Sequence, residues 1–66
     1  MRLHFDEEAD AVYLRLDESA IAGSEEVQPG IVLDFDQNDQ VVGIEILRVR
    51  QRVPTANLKQ IQFEVA

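Results

Sequence analysis

The densest set of oxygen donors in the chain is Asp34-x-Asp36-x-Asn38, followed by Glu45 eleven residues after Asp34. That is the ligand spacing of an EF-hand calcium loop, with alternating donors and a closing glutamate, and Val41 fits the loop's apolar position. Three features oppose calcium. The sixth position, where the loop needs glycine for a sharp turn, is Asp39. The flanks Ile31-Val-Leu and Ile44-Glu-Ile-Leu are strand-like, whereas the motif requires helices. A hairpin would also hold Glu45 far along a strand from Asn38. The pattern therefore reads as a turn between strands, and no cofactor or metal is expected.

The remaining chemistry-bearing residues are sparser. Glu7-Glu8 and Glu25-Glu26 are adjacent pairs, which point apart on a strand or sit on a loop tip, without apolar surroundings to raise a pKa for general-acid work. His4 has no serine or cysteine near it, and Ser19 and Ser24 fall in connecting sequence. A single histidine and no cysteine rule out a multi-histidine site within one chain, thiolate ligands, thiol nucleophiles and disulfides. No glycine-rich phosphate loop is present. The chain is expected not to be an enzyme.

The elements that position these residues are two hairpins. Residues 31–47 hold two β-branched runs around the polar knot Gln37-Asn-Asp-Gln. A four-residue loop pairs Phe35 with Val42, Leu33 with Ile44 and Ile31 with Ile46, all on one face because strand side chains alternate. A three-residue loop with Asp39 left-handed would shift this register by one. Residues 3–16 repeat the grammar at an offset of 30: Leu3/Leu33, Phe5/Phe35, Asp6/Asp36 and Val12/Val42 are identical. This is either a duplicated unit or convergence on one turn chemistry. It pairs Phe5 with Val12 and Leu3 with Leu14 inside, and His4 with Tyr13 outside. Asp6 and Asp36 are expected to accept backbone N–H bonds within their turns.

Between the hairpins, Pro29-Gly30 is a strong turn signal and Ser24-Glu25-Glu26-Val27 reads as a short edge strand guarded by glutamates. After Leu47, Val49 and Val53 suggest one helical turn ended by Pro54, and Thr55 is placed to cap a second through Leu58. Gln60-Ile-Gln-Phe-Glu-Val65 alternates strictly and is expected to be a last strand. The fold class is thus α+β: one domain over residues 1–66, an antiparallel sheet of about five or six short strands built on two hairpins, with one or two helical turns near the C-terminus. The expected core is Leu3, Phe5, Val12, Leu14, Leu16, Val27, Ile31, Leu33, Phe35, Val42, Ile44, Ile46, Ile61 and Phe63.

Composition bounds the function classes. A chain of 66 residues buries only roughly 60% of its unfolded surface, so its stability is marginal unless something staples it. A second copy is the simplest staple. The net charge of −7 argues against nucleic acid and anionic membranes as partners. No run approaches the ~20 apolar residues of a membrane helix, and the N-terminus carries no signal-peptide pattern. The charge is also uneven: residues 1–47 hold twelve acids against Arg2 and Arg15, whereas Arg48, Arg50, Arg52 and Lys59 face Glu64 alone in residues 48–66. A homodimer is expected, with Tyr13, Val32, Val41 and Val49 left over for its interface. Arg48, Arg50 and Arg52 of one copy would meet the acidic body of the other, in a contact weakened by salt. The acidic surface also suits a basic protein partner.

The order Phe5-Asp6-x-Glu8-x-Asp10-x-x-Tyr13-x-Arg15-Leu16, Glu25-Glu26-Val27-x-Pro29-Gly30, Leu33-Asp34-Phe35-Asp36 and Val42-Gly43-Ile44-Glu45-Ile46-Leu47 resembles the domain-of-unknown-function family 2283. The resemblance covers roughly residues 5–53. It implies a small bacterial cytoplasmic protein and no catalytic residues. Some members are encoded beside small toxin-like proteins, which prompts an antitoxin-like partner-binding role. The departure is Asp39-Gln40, where the family commonly has glycine and a basic residue, and it keeps the three-residue loop open. The leading expectation is a non-catalytic interaction module; the alternative is a small-molecule sensor. Titration with calcium should leave the amide NMR spectrum unchanged; shifts at Asp34, Asp36 and Asn38 would restore the calcium-loop reading.

Overall fold

The computed structural model describes residues 1–66. Strands β1 (Arg2–Asp6) and β2 (Ala11–Arg15) form the first hairpin, and β4 (Ile31–Phe35) and β5 (Val41–Leu47) the second. Strand β3 (Gly23–Gln28) pairs with β4 at the far edge. The result is one antiparallel sheet in the order β1-β2-β5-β4-β3, with a single four-residue helix, α1 (Val49–Arg52). The architecture is mostly β. No helix is long and apolar enough to cross a membrane.

The first hairpin pairs as its side-chain alternation requires: Leu3 opposite Leu14, Phe5 opposite Val12, His4 opposite Tyr13. Its four-residue loop closes with Asp10 left-handed (φ 55°), and the Asp6 carboxylate accepts the Ala9 N–H at 3.1 Å. In the second hairpin the Asp36 carboxylate likewise accepts the N–H groups of Asn38 (2.8 Å) and Gln40 (3.0 Å). Both aspartates do the turn work expected of them.

The second turn corrects the expected loop. Asp39 is left-handed (φ 60°), the Asp39 N–H bonds the Asp36 carbonyl, and the Asp36 N–H bonds the Gln40 carbonyl. Phe35 therefore faces Val41, not Val42, yet Leu33 still faces Ile44 and Ile31 still faces Ile46. A bulge absorbs the difference: β5 spends two residues, Val41 and Val42, against one step of β4. Both the short loop and the apolar face survive. A second bulge between Glu26 and Gln28 precedes the tight turn at Pro29-Gly30, where φ at Gly30 is 82°. Proline then glycine with positive φ is the chemistry of a type II turn.

The repeat has a spatial counterpart. Strands β2 and β5, equivalent at the offset of 30, lie side by side, and Leu14 pairs with its own equivalent Ile44. The two hairpins thus face each other about a local two-fold centred on that pair, and β3 is the addition that breaks it.

Two expectations beyond Leu47 are overturned. Residues 53–60 form isolated turns, closed by the Ala56 N–H to the Val53 carbonyl and the Gln60 N–H to the Asn57 carbonyl, and no second helical turn. Residues 60–65 form no strand, and Ile61 and Phe63 stand exposed instead of joining a core. Alternation supplies one apolar edge to a segment, but a strand also needs a partner ladder, and this one has none within the chain.

The expected core is corrected in the same sense. The strand residues named for it do share one face, but only five of the 66 residues are buried, Val42 alone among the fourteen expected. A sheet needs a second layer to close its apolar side, and a helix of four residues is too small to supply one. Replacing Asp39 by glycine should stabilise the fold by about 0.5–1 kcal/mol, since a left-handed non-glycine residue is relieved. A urea melt checks this, and an unchanged or lower midpoint would mean that Asp39 stabilises its turn in another way.

Candidate functional site

On the polar face the registers align Arg15, Gly43, Asp34 and Ser24 in one row across β2, β5, β4 and β3. Tyr13, one row along β2, lays its ring over Gly43: a Cβ there would come within 2.5 Å of the Tyr13 hydroxyl oxygen. That close approach is what a mid-strand glycine permits. The Tyr13 hydroxyl donates to Asp34 Oδ2 at 2.9 Å, and the Ser24 hydroxyl donates to Asp34 Oδ1 at 2.5 Å. Arg15 donates to the Tyr13 oxygen at 3.2 Å and to the carbonyls of Asp17 and Ser19. Asp34 is only 5% exposed, and no buried side-chain nitrogen or oxygen lacks a partner.

Burial raises the Tyr13 phenol above its ordinary value of 10.0; the Arg15 hydrogen bond lowers it and the Asp34 bond and charge raise it. The phenol keeps its proton at neutral pH and holds Asp34 through it. Every buried side-chain oxygen of the network has a partner. Ser24 has its carboxylate but no imidazole between them, because His4 lies on β1 facing Tyr13. This is a structural clasp across four strands, not a nucleophile with its base.

Tyr13, read from sequence as spare for a second subunit, is therefore engaged inside the chain. The signal that it was not spare was Gly43, a gap in a β-branched strand beside a polar row. Val32 shares the polar face, half-buried between Glu26 and Glu45, and Val41 sits half-buried in the bulge opposite Phe35.

The remaining candidates gather at one end of the sheet. Val49 is 3% exposed, with its N–H on the Asp10 carbonyl at 3.1 Å, so it is withdrawn from any outer contact. The Arg50 N–H reaches the Asp10 carboxylate at 3.1 Å, and its guanidinium donates to the Glu7 carbonyl and stands 5.7 Å from the Phe5 ring centroid. Arg52 donates to the Pro29 carbonyl at 2.8 Å. Arg50 and Arg52 thus clamp α1 to the two turns of their own chain. Arg48, left-handed at φ 52°, makes no ion pair.

The opposite face is the open one. Leu3, Leu14, Ile44 and Leu33 form one row across four strands, and Phe5, Val12, Ile46 and Ile31 the next. None of the eight is buried. Residues 56–61 lie beside Leu3, Phe5 and Val12 and leave a groove of about 440 Å³ between. Sequence reasoning found these residues and their shared face, but took the face as closed.

The family model described as Protein of unknown function (DUF2283) matches residues 2–50. The chain belongs to this family. The match spans all five strands, both turns with their aspartates and the Tyr13–Gly43–Asp34 row, so the DUF2283 pattern coincides with the sheet. No curated protein and no solved structure matches the chain.

Tyr13→Phe should cost about 1–3 kcal/mol, because a buried acceptor oxygen of Asp34 loses its donor. The raised phenol pKa means that the folded chain holds the proton more tightly than the unfolded one. Its stabilising contribution is full below pH 10 and is lost as pH rises through the higher folded value. Alkaline urea melts of the two proteins should therefore converge; a gap that widens above pH 10 would contradict the assignment.

Proposed function

We propose that this DUF2283 chain is a non-catalytic interaction module that self-associates, stacking the apolar face of one sheet on that of a second copy. The observation that carries this reading is the single-layer sheet none of whose eight central apolar residues is buried. Two sheets packed face to face lie ~10 Å apart and complete the two-layer architecture that a lone sheet lacks. Burial contributes roughly 25 cal/mol per Å² of apolar surface, before the cost of association. Identical copies meet by the same patch, so each contact is made twice.

The arginine-led dimer has less support, since Arg50 and Arg52 already serve their own chain. The sensor reading has less as well. A cleft of about 590 Å³ lies beside Arg2, His4, Tyr13 and Arg15, but both arginines are engaged, Arg2 with Glu18 at 2.7 Å and Arg15 with backbone carbonyls. The basic protein partner keeps one specific support: β3 is exposed throughout and turns Glu25 and Glu26 to opposite faces of an open edge.

If folding and association are one event, the thermal midpoint depends on concentration. Raising protein concentration about a hundredfold should lift Tm by several degrees, as differential scanning fluorimetry would show. A midpoint independent of concentration, with a monomeric mass throughout, would sink the proposal.

A further inference from the structure

We propose that residues 60–65 of one copy add as a sixth strand to the free β1 edge of a second copy. This rests on the self-association proposed above and names the contact that ties its two halves together. The segment alternates as a strand does, yet Ile61, Phe63 and Val65 are 69%, 82% and 84% exposed. Its own sheet leaves those side chains uncovered. The chain is correspondingly expanded: its radius of gyration is 12.7 Å, against about 10.8 Å for a compact chain of this length. An alternating apolar segment that pairs with no strand of its own chain has the form of a strand that adds to another sheet's edge.

The edge that fits it is β1. Its unpaired side shows Leu3 and Phe5 to the apolar face and Arg2 and His4 to the polar face. An antiparallel strand that sets Glu64 opposite Arg2, whose guanidinium would then be shared between Glu64 and Glu18 of its own chain, also sets Phe63 opposite Leu3, Gln62 opposite His4 and Ile61 opposite Phe5. Apolar meets apolar at Phe63–Leu3 and Ile61–Phe5, acid meets base at Glu64–Arg2, and Gln62 and His4 make a polar pair. The other edge repels it: β3 carries Glu25 on the apolar face and Glu26 on the polar face, like charges to Glu64. Residues 56–61 already run beside Leu3 and Phe5, so the tail leaves its own chain next to the β1 edge where a partner's tail would enter.

The test uses two full-length variants, Arg2→Glu and Glu64→Arg, alone and mixed. Each alone places like charges at position 2 and position 64 in both contacts of a dimer; Arg2→Glu also breaks the ion pair with Glu18, so Glu64→Arg and the rescue on mixing carry the test. Each should weaken dimerisation about tenfold, and β1 amides protected from hydrogen exchange in the wild-type dimer should exchange faster. In an equimolar mixture, Glu at position 2 of one chain meets Arg at position 64 of the other, and the reverse contact is also restored. Native mass spectrometry should then show the mixed dimer in preference, with β1 protected again. Single variants that dimerise as tightly as wild type, with β1 amides exchanging freely in all, would overturn strand exchange while leaving face stacking intact. Rescue by the double variant on one chain but not by mixing would place the strand on its own sheet, and also overturn it. A wild-type chain that stays monomeric would remove the self-association proposal first and this inference with it.

Discussion

A β-sheet one layer thick has to come to terms with water on both faces, and this chain does so within itself on only one. On the polar face, Asp34 takes two hydroxyl bonds from Tyr13 and Ser24, and Tyr13 closes over Gly43. The clasp ties four strands together, and no buried side-chain nitrogen or oxygen is left unpaired. The other face carries two rows of four apolar side chains with no layer above them. A lone layer of this kind is a poor independent fold, because so little apolar area leaves water against the cost of ordering the backbone. That face still needs a cover.

The periphery is arranged around the same need. Helix α1 buries one side chain and otherwise acts as a bracket, its arginines bonded to the turn carbonyls at Glu7 and Pro29. It steadies the end of the sheet without covering its face. The edges differ in character: β3 is guarded by adjacent glutamates, whereas β1 carries Arg2 and His4 beside Leu3 and Phe5. One edge resists strand addition and the other accepts it. The acidic excess of residues 1–47 then lies mainly on turns, loops and the guarded edge.

Much of the sheet was readable because its residues answer to local rules. Alternation placed Leu3, Phe5, Val12 and Leu14 on one face, and the aspartate turns closed as their side-chain chemistry dictates. The left-handed Asp39 and the preserved Leu33–Ile44 pairing looked like rivals in the sequence, since a bulge is invisible to a simple pairing rule. The Tyr13–Asp34 clasp joins residues 21 apart, and only Gly43 between them hinted at it. The last strand failed for a different reason. Alternation at Ile61, Phe63 and Val65 reports the capacity to pair, whereas pairing itself requires an edge, and one chain need not provide it.

The central claim is that the apolar face is an interface between copies. Sedimentation equilibrium of the wild-type chain at micromolar concentration tests it most directly. A face-stacked dimer would sediment at twice the 7.5 kDa chain mass and persist in high salt, since apolar contact contributes more than charge. A cooperatively folded particle of single-chain mass would show that the sheet stands alone with its apolar face in water, and would contradict it.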